Sequence, residues 1–261
     1  MKILIIGLIF SLPILLWAKG KPLILGEEAV YSVSWERIAT GAEAGFSFKT
    51  DSTGRFYLAR FYGRTNSFGS LVYKSINKEG WSLMDAYNLA PLTFNLSGKV
   101  ADIFSNESWH FQQSKKVNYY YRPAKRTFEY LLADTAYDIL SGMVFFRLKS
   151  LDSWLNRTGS DTLRIPIAKE SEVVDVLIIY QGESSVKLAG KNCSTHNFLV
   201  MLNDLGRQMF AADANLLIFF STADHHLPLR METNLTYLGV HIGRIIATID
   251  LDRSLLPYSF P

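Results

Sequence analysis

The sequence predicts a mainly β protein, built as a large antiparallel curled sheet, a barrel or a half-barrel/spiral, with one helix covering or plugging it. Three observations lead there. Short segments rich in β-branched and aromatic residues recur at about 8–12-residue spacing, with turn residues between them. One segment alone carries a helical period. And 261 residues hold a single cysteine, so no internal disulfide framework supports the domain and a core must, from 48% hydrophobic and 13% aromatic residues. So many consecutive antiparallel strands must close or curl to protect their edges.

The elements follow in chain order. Met1-Lys2 precedes an apolar run from Ile3 to Trp17, and Ala18 meets Lys19-Gly20-Lys21. One cation, a short apolar segment and a small residue at the break form a secretory signal layout. The expectation is a signal peptide over residues 1–18 and a single β-rich domain over 19–261, exported and most simply periplasmic. Leu16 is large for the −3 position, so retention of the segment as a membrane anchor is the alternative. The only cysteine is Cys193, which leaves none for lipidation beside the apolar run.

Alternation marks Val30–Trp35 and Gly45–Lys49 as strands, followed by a turn at Asp51–Gly54 and a strand at Arg55–Phe61. Asn66–Gly69 reads as a turn before a strand at Leu71–Ile76. Asn77–Gly80 reads as a further turn into Trp81–Met84. Trp109–Gln113 and Val117–Tyr121 flank Ser114-Lys115-Lys116 as a hairpin, and Thr127–Leu131 is another strand. From Ala136 to Ser150 the apolar residues Tyr137, Leu140, Met143, Val144 and Leu148 fall at helical spacing. Asp134 or Thr135 is the N-cap candidate, Asp138 adds charge near the positive end, and Gly142 is the weak point. Strands resume at Glu172–Tyr180, Ser184–Ala189, His196–Leu202, Arg207–Ala211, Leu216–Thr222, Leu229–Leu235 and Val240–Ile249. The total is roughly fifteen strands and one good helix.

Several functions are disfavoured by what is missing. A formal net charge of +3 is weak for nucleic-acid binding, which needs a clustered basic surface. Lys115-Lys116, with Arg122, Lys125 and Arg126 beyond, is the densest basic stretch and sits on a predicted hairpin. There is no Gly-x-Ser-x-Gly elbow, phosphate-binding glycine loop, His-Glu-x-x-His or cysteine pair. Asp and Glu residues are scattered, and nothing selects a glycosidase pair. Asp224-His225-His226, with His241 beyond, is the most suggestive cluster for a metal. Adjacent residues on an extended chain point to opposite faces, so a solvated turn before Pro228 is the preferred reading. Cys193 reads as a structural thiol. Tyr119-Tyr120-Tyr121 reads as a strand with alternating tyrosines, ahead of a stacking platform.

Gly26-Glu27-Glu28-Ala29-Val30-Tyr31-Ser32-Val33-Ser34-Trp35, then Ile38 and Gly41-Ala42-Glu43-Ala44, resemble the opening of a bacterial exported family, domain of unknown function 3108. Asp138 to Arg147 resembles its central helix motif. Leu217–Ser221, Asp224, Pro228-Leu229-Arg230 and Ile242-Gly243 resemble its closing strands. The similarity spans about residues 24–250. It implies an exported β-rich protein whose curled sheet wraps a helix, as in periplasmic lipoprotein-carrier-like folds, and it brings no catalytic residues. The histidines after Asp224 depart from the family pattern.

The functional expectation is a non-enzymatic envelope protein that binds an apolar or amphipathic, lipid-like ligand or an envelope protein partner. The alternatives are a scaffold whose barrel is filled by its own side chains and, behind it, an envelope carbohydrate hydrolase. No catalytic, metal-binding or cofactor-binding residue is assigned, no cofactor is implied, and nucleic acid is not a partner. Contact with the membrane is expected only through an uncleaved signal segment. Glu27, Tyr31, Trp35, Asp138, Phe145, Phe146, Arg147 and Asp224 are the residues expected to line a pocket or hold a structural motif.

Overall fold

A computed structural model describes residues 26–35, 39–72, 75–112, 115–151, 155, 162–202, 213–223, 226–237 and 240–257. Among them, fourteen strands form one antiparallel sheet in the order β8-β7-β6-β5-β4-β3-β2-β1-β14-β13-β12-β11-β10-β9. The first meander is β1 (Glu27–Trp35), β2 (Ala39–Thr50), β3 (Phe56–Thr65), β4 (Ile76–Asp85), β5 (Pro91–Val100), β6 (Ile103–Gln112), β7 (Lys116–Tyr121) and β8 (Arg126–Leu131). The second is β9 (Thr162–Ala168), β10 (Val173–Leu188), β11 (Lys191–Met201), β12 (Asp213–Ser221), β13 (Pro228–Tyr237) and β14 (Val240–Ile249). A seam between β1 and β14 joins the two, with Tyr31 opposite Ile249 and Trp35 opposite Ile245.

The sheet curls without closing. Its edges are β8 and β9, and side chains bring them near each other: the Tyr130 hydroxyl donates to the Lys169 carbonyl at 2.7 Å, just past β9. The chain then turns inward between the edges. Tyr137 bridges Ile167 in parallel, its N–H donating to Pro166 O at 2.9 Å and its carbonyl accepting from Ala168 N at 2.7 Å. This partly satisfies the outer edge of β9, which is how a sheet edge is made safe.

From there the chain enters the helix that fills the curl. A short helix, α1 (Ser67–Val72), lies earlier between β3 and β4; the central helix is α2 (Ile139–Phe145), continued by a π turn at Phe146–Ser150. The predicted helix over Ala136–Ser150 therefore starts three residues late. Its cap is Asp138 rather than Asp134 or Thr135. The Asp138 carboxylate accepts from Leu140 N and Ser141 N, while Ser141 Oγ accepts from Asp138 N, a reciprocal capping box. Leu140 and Val144 are buried at 3% and 4% exposure against β3 to β7, as their spacing predicts. Phe146 and Leu151 face the other half-sheet. Gly142 is not a weak point but a fitted one, since a Cβ there would lie 2.7 Å from Ile167 Cδ1.

Several local expectations give way. Asn66–Gly69 is not a plain turn: Asn66 Oδ1 accepts from Gly69 N at 2.8 Å and opens α1. Of the strand expected at Leu71–Ile76, the first two residues end α1 and the last opens β4, while 73 and 74 lie outside the described residues. The turn expected at Asn77–Gly80 lies inside β4. Gly80 is there because Phe61 leans over it; a Cβ would sit 2.4 Å from Phe61 Cε1. Glu172–Tyr180 and Ser184–Ala189 are one strand, β10, and the supposed turn is a bulge where the register shifts between Tyr180 and Gly182 (φ +93°). The described residues hold fourteen strands against the roughly fifteen expected, and β5 and β9 occupy stretches in which the alternation shows none. The strand expected at Arg207–Ala211 and the signal segment over 1–18 lie outside the described residues.

Candidate functional site

The site grows from β1. Its alternation places Glu27, Ala29 and Tyr31 inward, all buried, so a carboxylate is carried into the core in phase with an aromatic ring. Such an acid needs a buried partner. Arg147 supplies it from the π turn, Nη1 to Oε1 at 2.6 Å and Nη2 to Oε2 at 2.7 Å. The pair is bidentate and nearly dry: Glu27 is 0% and the Arg147 side chain 9% exposed. The π turn aims Arg147 at β1, and such turns recur at functional positions. Tyr31 lies close to both groups. Burial pushes its phenol well above the ordinary range, the Glu27 carboxylate adds to that rise, and Arg147 opposes it. Its hydroxyl donates to the Pro228 carbonyl at 3.0 Å.

Beside this pair opens an apolar cavity of about 120 Å³. The helix side contributes Ile139, Gly142, Met143, Val144, Phe146, Arg147 and Leu148; β1 and β2 contribute Tyr31, Phe46 and Phe48. The opposite wall is β9 to β13, dominated by Ile165, Ile167, Val176, Ile178, Val200 and Ile218. Met143, on the helix wall, keeps 36% of its surface accessible. Arg147 is the one charged residue among the described lining, and both ends of its guanidinium fork hold Glu27.

The sequence-predicted residues divide into those that meet here and those that do not. Glu27, Tyr31, Phe146 and Arg147 meet. Phe146 sets its ring edge-on to Phe198 and Phe220 at 5.2 and 5.7 Å. Phe145 stacks on Tyr137 at 4.7 Å and reaches both core clusters. Asp138 stands at the start of α2, fully buried, with Ser82 Oγ donating to it at 2.6 Å; burial raises its carboxyl above the usual range although four hydrogen bonds pull the other way. Trp35 is elsewhere on the seam, its indole lying over Gly243, where φ is +145° and a Cβ would come within 2.2 Å of the ring. Asp224 and His225 lie outside the described residues.

His226 corrects the solvated-turn reading of its own position. It is 5% exposed, with Nδ1 3.3 Å from the Ser221 carbonyl, and its ring is 6.5 Å from that of His196. Among the described residues, no three His, Cys, Asp or Glu side chains converge on a point. Cys193 is buried. Tyr119 is buried and Tyr120 is 39% exposed, an ordinary strand alternation.

Two polar sites escape sequence reasoning. Glu107 is buried with Tyr119 Oη donating to it at 3.1 Å; burial raises its carboxyl, and that hydrogen bond lowers it. The Ser82–Asp138 contact joins residues 56 apart. Only the inward phase of Ser82 and Glu107 on their strands signals either one.

Fold and site together define a β-barrel-like protein: a curled antiparallel sheet around a capped helix, with an apolar cavity and a buried ion pair at its heart. The chain belongs to the family described as "Protein of unknown function (DUF3108)", which matches residues 30–244. No curated protein matches it. Among solved structures it is similar to the "Beta-barrel-like Protein of Domain of Unknown Function DUF1849 from Brucella abortus". That similarity has a TM-score of 0.57 at 9% identity, over 91% of this chain and 99% of that one. At that identity the likeness speaks for the fold alone.

Proposed function

We propose that this is an exported, non-enzymatic envelope protein that binds an apolar or amphipathic ligand in the cavity beside α2. The observation that carries the reading is the cavity's lining: aliphatic and aromatic side chains from both helix and sheet, with one charge already neutralised. Apolar pockets walled by a sheet and a helix are the usual ligand sites of barrel-like folds. Residues 1–18 support export by their composition.

The volume limits the ligand. About 120 Å³ is below the several hundred Å³ of ordinary ligand sites. A dry apolar cavity of about 150 Å³ accepts a benzene-sized guest. The guest here is accordingly one short chain or one ring. The same small volume favours the second reading, a scaffold whose interior is nearly self-filled.

Native mass spectrometry of protein purified from its own envelope, with extraction of bound lipid, separates the two. A stoichiometric apolar adduct, lost when Val200→Phe fills the cavity wall, supports binding. Protein that carries no adduct and takes up none of a panel of alkyl compounds leaves the scaffold reading standing. N-terminal sequencing tests the export half: a mature start near Lys19 supports it, and an intact Met1 in a membrane fraction overturns it.

A further inference from the structure

A guest needs a way into the cavity, and one lining residue marks it. Every other described lining residue is buried or half-buried; Met143 alone is exposed, at 36%. It lies four residues after Ile139, another lining residue, and so on the stripe of α2 that faces the cavity. Its side chain therefore meets solvent on one side and the guest's space on the other. Methionine is unbranched with three rotatable bonds, so it can cover an opening and swing aside from it.

A thioether in that position is also a chemical target. An oxidant must reach the sulfur, so exposure sets the order of attack. Met84 is fully buried, Met201 and Met231 are half-buried, and Cys193 is buried. Oxidation turns a flexible apolar side chain into a polar one. A buried sulfoxide oxygen needs a hydrogen-bond donor. The described lining is otherwise aliphatic and aromatic, the Tyr31 hydroxyl donates to Pro228 O, and both ends of the Arg147 fork hold Glu27. The oxidised side chain is thus driven outward to water, and the opening stays uncovered.

We propose that Met143 is an oxidant-responsive gate: a peroxide converts its thioether to the sulfoxide, and the cavity then releases its guest. A sulfur lone pair attacks one oxygen of hydrogen peroxide, the S–O bond forms as the O–O bond breaks, and the other oxygen takes the remaining proton and leaves as water. The sulfur is oxidised and the peroxide reduced, and a methionine sulfoxide reductase reverses the change. The proposal rests on the cavity being a binding site. It adds where the guest enters and what makes it leave.

The test uses the full chain, with benzene and the smaller xenon as guests followed by NMR, before and after limited treatment with hydrogen peroxide. Peptide mapping by mass spectrometry should find Met143 oxidised first among Met84, Met143, Met201 and Met231. Binding of both guests should weaken by about tenfold in step with that oxidation. Met143→Leu, a swap of similar volume that the fold tolerates, should bind both guests as the parent does and keep them after peroxide. Oxidation of Met201 or Met231 ahead of Met143, guest affinity indifferent to Met143 oxidation, or an equal loss in Met143→Leu after peroxide overturns this inference and leaves the cavity reading intact. Failure of the protein to take up either guest before peroxide takes down the cavity reading, and this inference with it.

Discussion

The two half-sheets close on the same helix by different means. On the β2–β7 side the interior is a run of rings: Phe94 to Trp109 at 5.0 Å, Trp109 to Tyr119 at 4.8 Å, with Phe48 and Tyr57 at 5.1 Å. Glycines make room for them, as Gly80 does for Phe61. Leu140 and Val144 of α2 dock into this surface. On the β9–β12 side the wall is mostly Ile and Val, branched close to the backbone and short in reach. Phe146, Phe198 and Phe220 meet edge-on there, and the cavity lies between this wall and the helix. The two halves thus pack the helix differently, rings on one side and mostly branched aliphatic chains on the other, and the cavity takes most of its wall from the aliphatic side.

The seam between the halves offers the hardest blow. Glu27→Ala should leave Arg147 buried without its counter-charge and cost about 3–5 kcal/mol in denaturant unfolding. Replacing both, Glu27→Leu with Arg147→Met, should recover most of that loss, because a dry ion pair contributes less than its breakage suggests. A single variant as stable as the parent would mean the pair is better hydrated than its burial implies.

Next comes the filled half. Leu140→Ala should cost about 2–5 kcal/mol, the range for emptying an enclosed leucine site. A loss below about 0.5 kcal/mol would place that face of α2 in solvent and undo the contrast.

Overfilling sharpens it further. Ala59, fully buried in the ringed half, has no slack, and Ala59→Leu should cost about 1–3 kcal/mol. Val200→Leu on the cavity wall should change stability by less than about 0.5 kcal/mol, or raise it slightly, since the added methylene enters empty space. Equal penalties at both positions would show the cavity closed in solution.

The smallest effect is on pH. Burial raises the folded-state carboxyl of Glu107, so the folded form keeps its proton while the unfolded chain has released it. Its contribution is therefore most favourable in acid and is lost as pH rises from the ordinary glutamate range through the raised folded value. Glu107→Gln, which retains an acceptor for Tyr119, should flatten that decline in a series of unfolding midpoints. An unchanged pH profile would place the effect on another group; Asp138, raised by burial in the same sense, is the next to test.

The fold was largely legible because half-buried strands write their burial as alternation. The helix was legible because Leu140, Val144 and Leu148 repeat every four residues. What misled was glycine. At Gly80 and Gly182 it serves neighbouring rings and a bulge, and single-residue chemistry cannot tell those uses from a turn. Proline hid the two unseen strands: Pro91 stands at the first position of β5, and Pro166 lies on the edge strand β9, where a missing donor is tolerated. Glu27 and Arg147 were each visible within a motif. Their meeting was not, since 120 residues separate them and only the curl of the sheet brings them together. Tyr31, Phe146 and Arg147 were legible as pocket candidates, but the size of the cavity and its β9–β13 wall had no signal, because they depend on how far apolar side chains from distant strands reach.

The β1–β14 seam has a consequence for how the molecule assembles. Nearly every other strand finds its neighbours within one hairpin, so each meander can form from local contacts. β1 gains its second neighbour only when residues more than 200 positions away arrive, as Tyr31 does with Ile249. Closing so long a loop is entropically slow, and contacts of that separation govern folding rate. Until then β1 and β14 are both open edges, presenting unpaired backbone to any other chain. The interval between the two meanders and the seam is the vulnerable period of this protein's life. A chaperone that shields β1 during it would shorten the window for aggregation without touching the native state.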